Sequence, residues 1–209
     1  MPRRARQEGP GAFHHVVSRS STDVPLVIDD LDRVQFLDEL RGVARDLGWQ
    51  CLAYCVMSTH AHLVVRTAEP NLGTGMRRLQ GRYASAHNRR HDRRGHLFGR
   101  RYWSRRIDRP HYLSCAALYT VLNPVAAGLC AHPADFVWSS YRETVGVVPR
   151  TGLLEAEVLL RTFNDDVSQA REAYRRVVDE ALRRMAGRRA DELWWQAVQR
   201  AAPGARTTG

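Results

Sequence analysis

No run of apolar residues in this 209-residue sequence approaches the length of a membrane-spanning helix, and the basic start MPRRARQEGPG is not followed by the apolar core of a secretory signal. Neither an anchor nor export is expected, and the cytoplasm is the expected location. Cysteine is scarce too. Cys51, Cys55, Cys115 and Cys130 lie in or beside apolar segments and never at the two-residue spacing of a zinc knuckle or redox pair, so buried free thiols are expected. The third shortage is local: between Arg77 and Arg109 only Asp92 and Asp108 accompany twelve arginines.

The hydrophobic content of 44% is that of a folded chain with one generous core. The formal charge of +10 makes a polyanion the first partner to consider. Arginine contacts phosphate bidentately and stacks on bases, so Arg77, Arg78, Arg82, Arg89, Arg90, Arg100, Arg101, Arg105 and Arg106 are candidate nucleic-acid contacts. Tyr102 and Trp103 are interleaved among them and could stack bases or pack into the core.

GAFHHVVSR (11–19) reads as a first strand, and the segment from Asp29 to Trp49 as an amphipathic helix with Val34, Leu37, Leu40, Ala44 and Leu47 inward. QCLAYCVM and HAHLVVRT, joined by a tight Ser58-Thr59 connection, read as antiparallel strands. A second helix starts near Asn71 or Thr74 with Leu72, Met76, Leu79 and Tyr83 as its stripe. HLFGRRYWSRRI reads as a fourth strand and RPHYLSCAALYTVLNP as a helix stopped by Pro124. The order matches an α+β, split βαβ, ferredoxin-like antiparallel sheet with two helices on one face. The extra helix could deliver a side chain to the open face, and Trp138 and Tyr141 anchor a return segment. Residues 152–200 read as helical throughout, packing through Leu160, Phe163, Tyr174, Val178 and Leu182, with Trp194 and Trp195 closing a terminal helix. These are the added C-terminal helices.

Chemistry enters at STHAHLVV (58–65). Side chains alternate along a strand, so His60 and His62 share a face and can bind one ion. The spacing does not choose between zinc and a harder metal, nor between a ligand pair and two histidines decorating a sheet. On the later helix, Cys115, Tyr119 and Asn123 form a line one turn apart. His14, His15 and His111 are candidate bases or phosphate ligands.

Together these segments resemble the HUH-type single-tyrosine transposases, above all the branch associated with repetitive extragenic palindromes (REP). The resemblance runs in order through GPGAFHHVVSRS, through residues 53–102 with the His-x-His pair, through YLSCAALYTVLNPVAAGL and through HPADFVWSSYRE, spanning residues 9–143. It implies that His60 and His62 bind the metal, Mg2+ or Mn2+, that Asn123 supplies a third ligand, and that Tyr119 is the nucleophile. It also places His15 where the first strand carries an accessory histidine. The implied partner is single-stranded DNA with a palindromic hairpin, cut and rejoined through a 5′-phosphotyrosine link by a monomer in preference to a homodimer, nucleoid-associated when bound. The catalytic domain would span residues 9–143 and a helical extension residues 144–200. Ala61 between the histidines, Ser20 after the first strand and FGRRYW depart from the family pattern, the last two at loop and DNA contacts. Two other readings share these residues: a hairpin-binding regulatory protein without turnover, and a metallonuclease that uses water.

Overall fold

The computed structural model describes residues 9–21, 24–99 and 101–185. Strands β1 (Ala12–Arg19), β2 (Trp49–Val56), β3 (His60–Thr67) and β4 (Trp103–Ile107) form one antiparallel sheet in the order β2-β3-β1-β4. Helices α1 (Asp30–Leu47) and α2 (Leu72–Arg90) cover one face. Helix α3 (Pro110–Ala126) covers the other, where α4 (Tyr141–Thr144), α5 (Ala156–Leu160) and α6 (Val167–Met185) join it. This is the expected ferredoxin-like α+β arrangement with added C-terminal helices.

Two cores follow from strand alternation. Ala61, Leu63 and Val65 of β3 enter the core under α1 and α2, whereas Val64 enters the core under α3. On β2 the register shifts between Cys51 and Ala53. The extra residue, Leu52, lets both Leu52 and Ala53 reach the α3 core while Cys51 and Tyr54 serve the other. The outer edge of β2 is covered by the return segment: Val56 N–H donates to the Trp138 carbonyl at 3.0 Å and Ser140 N–H to the Tyr54 carbonyl at 2.9 Å. Tyr141 anchors that segment in the α3 core, and the Arg33 guanidinium lies over the Trp138 ring.

Helix α2 approaches the sheet closely because residue 75 is glycine. A Cβ there would stand 2.1 Å from the buried Trp49 ring, whose indole N–H donates to Asn71 Oδ1 at 2.7 Å. Gly75→Ala is therefore expected to destabilise the fold by about 1–3 kcal/mol through overpacking, although alanine is the better helix former. Urea denaturation would measure it, and unchanged stability would mean that the indole moves aside at little cost.

Several elements differ from the sequence reading. The inward face of α1 is Asp32, Phe36, Leu40, Val43 and Ala44, leaving Val34 44% exposed. Asp32 sets this rotation: its carboxylate accepts the Ile28 N–H at 2.8 Å and closes a capping box with Asp29, while Phe36 meets the Tyr83 ring edge-on. The fourth strand is shorter than expected, because Leu97 turns into the core and Gly99 packs on the Ser21 backbone, leaving one bridge at Phe98 before β4 begins. Helix α3 does not stop at Pro124 but runs to Ala126. A proline removes one N–H, which a last turn tolerates, and the Ala127 N–H still reaches the Asn123 carbonyl at 3.0 Å.

The C-terminal part is not helical throughout. Residues 161–166 break it, and Asp166 restarts the chain by accepting the Gln169 N–H at 2.8 Å, as an N-terminal cap does. Leu160, Tyr174 and Val178 are buried, with Phe163 and Leu182 packed beside them. Trp194 and Trp195, and the rest of the expected extension beyond residue 185, lie outside the described residues. Cys51, Cys55 and Cys115 are buried free thiols, and Cys130 is half-buried. No helix among the described residues is long and apolar enough to cross a membrane.

Candidate active site

His60 and His62 project from β3 on the same side as Val64, toward α3. Antiparallel register sets their neighbours: Arg19 of β1 stands opposite His60, and Val17 of β1 and Cys55 of β2 stand opposite His62. His15 shares this face, since β1 residues two apart point the same way and Phe13 packs into the α3 core. His14 points to the other face and pairs with Arg106. Burial, followed by the Arg106 charge, lowers the His14 pKa.

Across the gap, α3 brings Tyr119 down between the imidazoles. Its ring centroid is 5.1 Å from that of His62 and 5.3 Å from that of His15, both edge-on. His15 Nε2 and His62 Nδ1 are 3.2 Å apart, and the two rings are stacked. His62 Nε2 is buried with no hydrogen-bond partner. The His60 ring is steadied by the Thr59 hydroxyl, 3.0 Å from its Nδ1. Asn123, one turn beyond Tyr119, donates to the Tyr119 carbonyl at 2.9 Å, and its side chain is near enough to the His60 ring and the Tyr119 phenol to influence the pKa of both. His60, His62, Tyr119 and Asn123 are thus neighbours although β3 and α3 are far apart in sequence.

The electrostatics favour neutral imidazoles. Burial, followed by the Arg105 charge, takes the His15 pKa down to about 4. His62 falls well below its ordinary value through burial and then through its neighbours His15, His60 and Arg19. His60 is lowered by burial and then by Arg19, against the Asn123 hydrogen bond. Burial raises the Tyr119 pKa, opposed by the Asn123 hydrogen bond and the Arg19 charge. An unprotonated imidazole with a buried, unpaired Nε2 beside a second imidazole and an amide suits a divalent cation.

Arg19 was missed in the sequence, and its signal was parity: it lies four residues after His15, on the same face of β1. Trp103, 52% exposed, stands edge-on to His15 on this face, whereas Tyr102 is a core residue. Arg105 pairs with His15 and shares the site's face; Arg106, paired with His14, lies on the opposite one and bridges to Asp108. Arg77, Arg78, Arg82 and Arg89 are exposed along α2, and Arg101 is exposed before β4. Arg90 is held by Asp29 and Asp32, and Arg100 lies outside the described residues. His111 is within 3.7 Å of the Cys115 thiol, a turn above Tyr119.

A second group of donor atoms lies elsewhere. Asp32, His87 and His91 bring theirs within 4.8 Å of one another, a buried Asp-His-His cluster capable of coordinating a divalent cation. It belongs to α1 and α2, behind the sheet from Tyr119.

Comparison with known proteins follows the same lines. No curated protein matches the chain. A solved structure, that of a REP-associated tyrosine transposase bound to a REP hairpin, shares the fold with a TM-score of 0.61 at 19% identity, covering 71% of this chain and 89% of that one. The model of the family described as IS200-like transposase matches residues 12–116, a span that includes His60 and His62 and stops before Tyr119. With half of its length matched and with the fold of a tyrosine transposase, the chain belongs to the IS200-like transposase family.

Proposed function

We propose that this protein cleaves and rejoins single-stranded DNA beside a palindromic hairpin, with Tyr119 as the nucleophile. The observation that carries the proposal is Tyr119 itself: a side chain from the helix on the open face, lodged against His62 and His15, with Asn123 one turn beyond it and bonded to its carbonyl. His60, His62 and Asn123 would hold Mg2+ or Mn2+. When bound, that ion supplies positive charge to the scissile phosphate and to the oxygen that leaves.

The remaining work belongs to the chain. The Tyr119 hydroxyl oxygen attacks phosphorus in line and loses its proton, the bond from phosphorus to the 3′ oxygen breaks, and that oxygen leaves as a free 3′-hydroxyl. The 5′ phosphate stays on the tyrosine. Attack by a 3′-hydroxyl reverses these steps, which joins strands without loss of the stored bond. Arg19 and the Asn123 hydrogen bond favour the phenolate against the opposing effect of burial. His15 holds His62 by its Nδ1 and so keeps Nε2 turned to the site. In this reading residues 9–143 form the catalytic domain, and the protein acts as a monomer in the cytoplasm, on the nucleoid when bound.

Strand binding falls to arginine, which accounts for all 32 basic residues of the chain. Arg78 and Arg82 are exposed and one turn apart on α2. Their joint replacement by glutamine is expected to weaken hairpin binding across many sequences and to flatten its logarithmic salt dependence by about 0.7 per lost phosphate contact. A salt series of binding isotherms measures the slope, and single-turnover cleavage at saturating DNA should change little. An unchanged slope with collapsed cleavage would move these arginines into the active site. The function itself is tested by incubating end-labelled single strands carrying the cognate hairpin with the protein and Mg2+ or Mn2+. A covalent protein-DNA adduct on the Tyr119 peptide is expected, and cleavage that leaves only free ends would refute the nucleophile.

A further inference from the structure

We propose that Asp32, His87 and His91 form a second metal site, selective for a divalent ion of the zinc class, which clamps the end of α2 to the start of α1 and takes no part in strand cleavage. His87 and His91 stand four residues apart at the C-terminal end of α2, so their rings lie one above the other on one side. Asp32 meets them from the first turn of α1. His91 Nε2 is 2.9 and 3.0 Å from the two carboxylate oxygens, and His87 Nε2 is 3.9 Å from Oδ2.

An independent observation points to a ligand. His87 is 1% exposed, and neither ring nitrogen has a hydrogen-bond partner. Burying an imidazole without partners is costly, and buried polar groups are paired as a rule. His87 does not contribute through its nitrogens to the packing of α2, which Leu72, Met76, Leu79 and Tyr83 already secure. A cation between Nε2 of His87, Nε2 of His91 and a carboxylate oxygen of Asp32 would satisfy the orphaned ring.

The Asp32 carboxylate supplies the negative charge of the cluster, against which stand the Arg90 guanidinium, bonded to Asp29 and Asp32, and the Arg93 charge felt by His87; a cation here is held by its donor atoms and not by net charge. Two imidazoles and one carboxylate are the donors of zinc-class ions, with a fourth position left for water; magnesium prefers an oxygen shell. The two proposed sites differ in place: the ion that supports cleavage would sit on the α3 face with Tyr119, this one on the α1 and α2 face.

The clamp has a structural consequence. His91 is the last cap of α2, and Asp92 follows with φ of 46°, turning the chain sharply into the arginine-bearing connection to β4. Fixing His91 fixes where that connection leaves the helix.

The test uses the full-length His60→Ala/His62→Ala variant, in which the proposed catalytic ligands are gone. Stripped of metal and titrated with Co2+, it should bind a single ion with the visible absorption of a four-coordinate site, undiminished by excess Mg2+. Adding His87→Gln should weaken Co2+ binding by more than about 100-fold, beyond the loss of an outer-shell partner. Failure of the double variant to bind Co2+, or binding that ignores His87→Gln, would overturn the site. Should His87→Gln not fold, the wild type decides: crystals grown in zinc should give an anomalous peak between Asp32, His87 and His91, and no peak there at saturating zinc refutes the proposal.

Discussion

Tyr119→Phe is expected to abolish the covalent protein-DNA adduct and to slow hairpin cleavage by about 10^4-fold or more, the scale on which removal of a covalent nucleophile is felt. Phenylalanine keeps the ring that packs edge-on against His62 and His15 and removes only the hydroxyl, so the fold and the histidine pair should remain in place. Hairpin affinity should be nearly unchanged, because the exposed arginines that would grip phosphate lie on α2 and before β4. Denaturing electrophoresis of the protein with labelled DNA reads the adduct, and product analysis reads the ends. Cleavage at the wild-type rate with free ends would mean that water is the nucleophile and that Tyr119 only packs. Binding by both proteins with cleavage by neither, on the cognate hairpin, would favour the regulatory reading.

The second large effect is expected from His60→Ala/His62→Ala. If the pair holds the ion, its loss removes several kcal/mol of charge stabilisation at the phosphate, which at about 1.4 kcal/mol per tenfold is on the order of 10^3-fold or more in cleavage rate. Added Mg2+ or Mn2+ should not restore it. His62 is only 2% exposed, so its truncation also leaves a small void, and thermal unfolding of the variant separates lost chemistry from a lost fold. Unchanged hairpin affinity with abolished cleavage is the expected pattern. Retained cleavage would remove His60 and His62 from the site. His15→Ala should have a smaller effect in the same direction, since it loosens the ring that His62 leans on rather than a ligand.

Some of this was legible in the residues alone, and the reason is periodicity. The alternation in HAHLVVRT determined that His60 and His62 share a face, and helical spacing determined that Tyr119 and Asn123 lie on one line; both hold in the structure. The stripe Leu72, Met76, Leu79, Tyr83 on α2 was likewise local information. The rotation of α1 was not, because two overlapping apolar stripes compete there and a buried aspartate, tied to Arg90 and His91 from α2, selects between them. Nor could spacing say that Pro124 would be absorbed within the last turn of α3.

The histidine pair and the tyrosine were determined by sequence as candidates; their meeting was decided by the tertiary structure. Strand order placed β3 at the centre of the sheet beside β1, which is what sets Arg19 opposite His60 and His15 beside His62. The side on which α3 packs then delivered Tyr119 to the imidazoles and put the α3 core behind it. The Asp-His-His cluster shows the same division: the spacing of His87 and His91 is written in the chain, but Asp32 reaches them across 55 and 59 residues of sequence only because α1 and α2 lie side by side on the other face. Local periodicity tells which side chains share a face, whereas the packing of elements remote in sequence decides what that face meets.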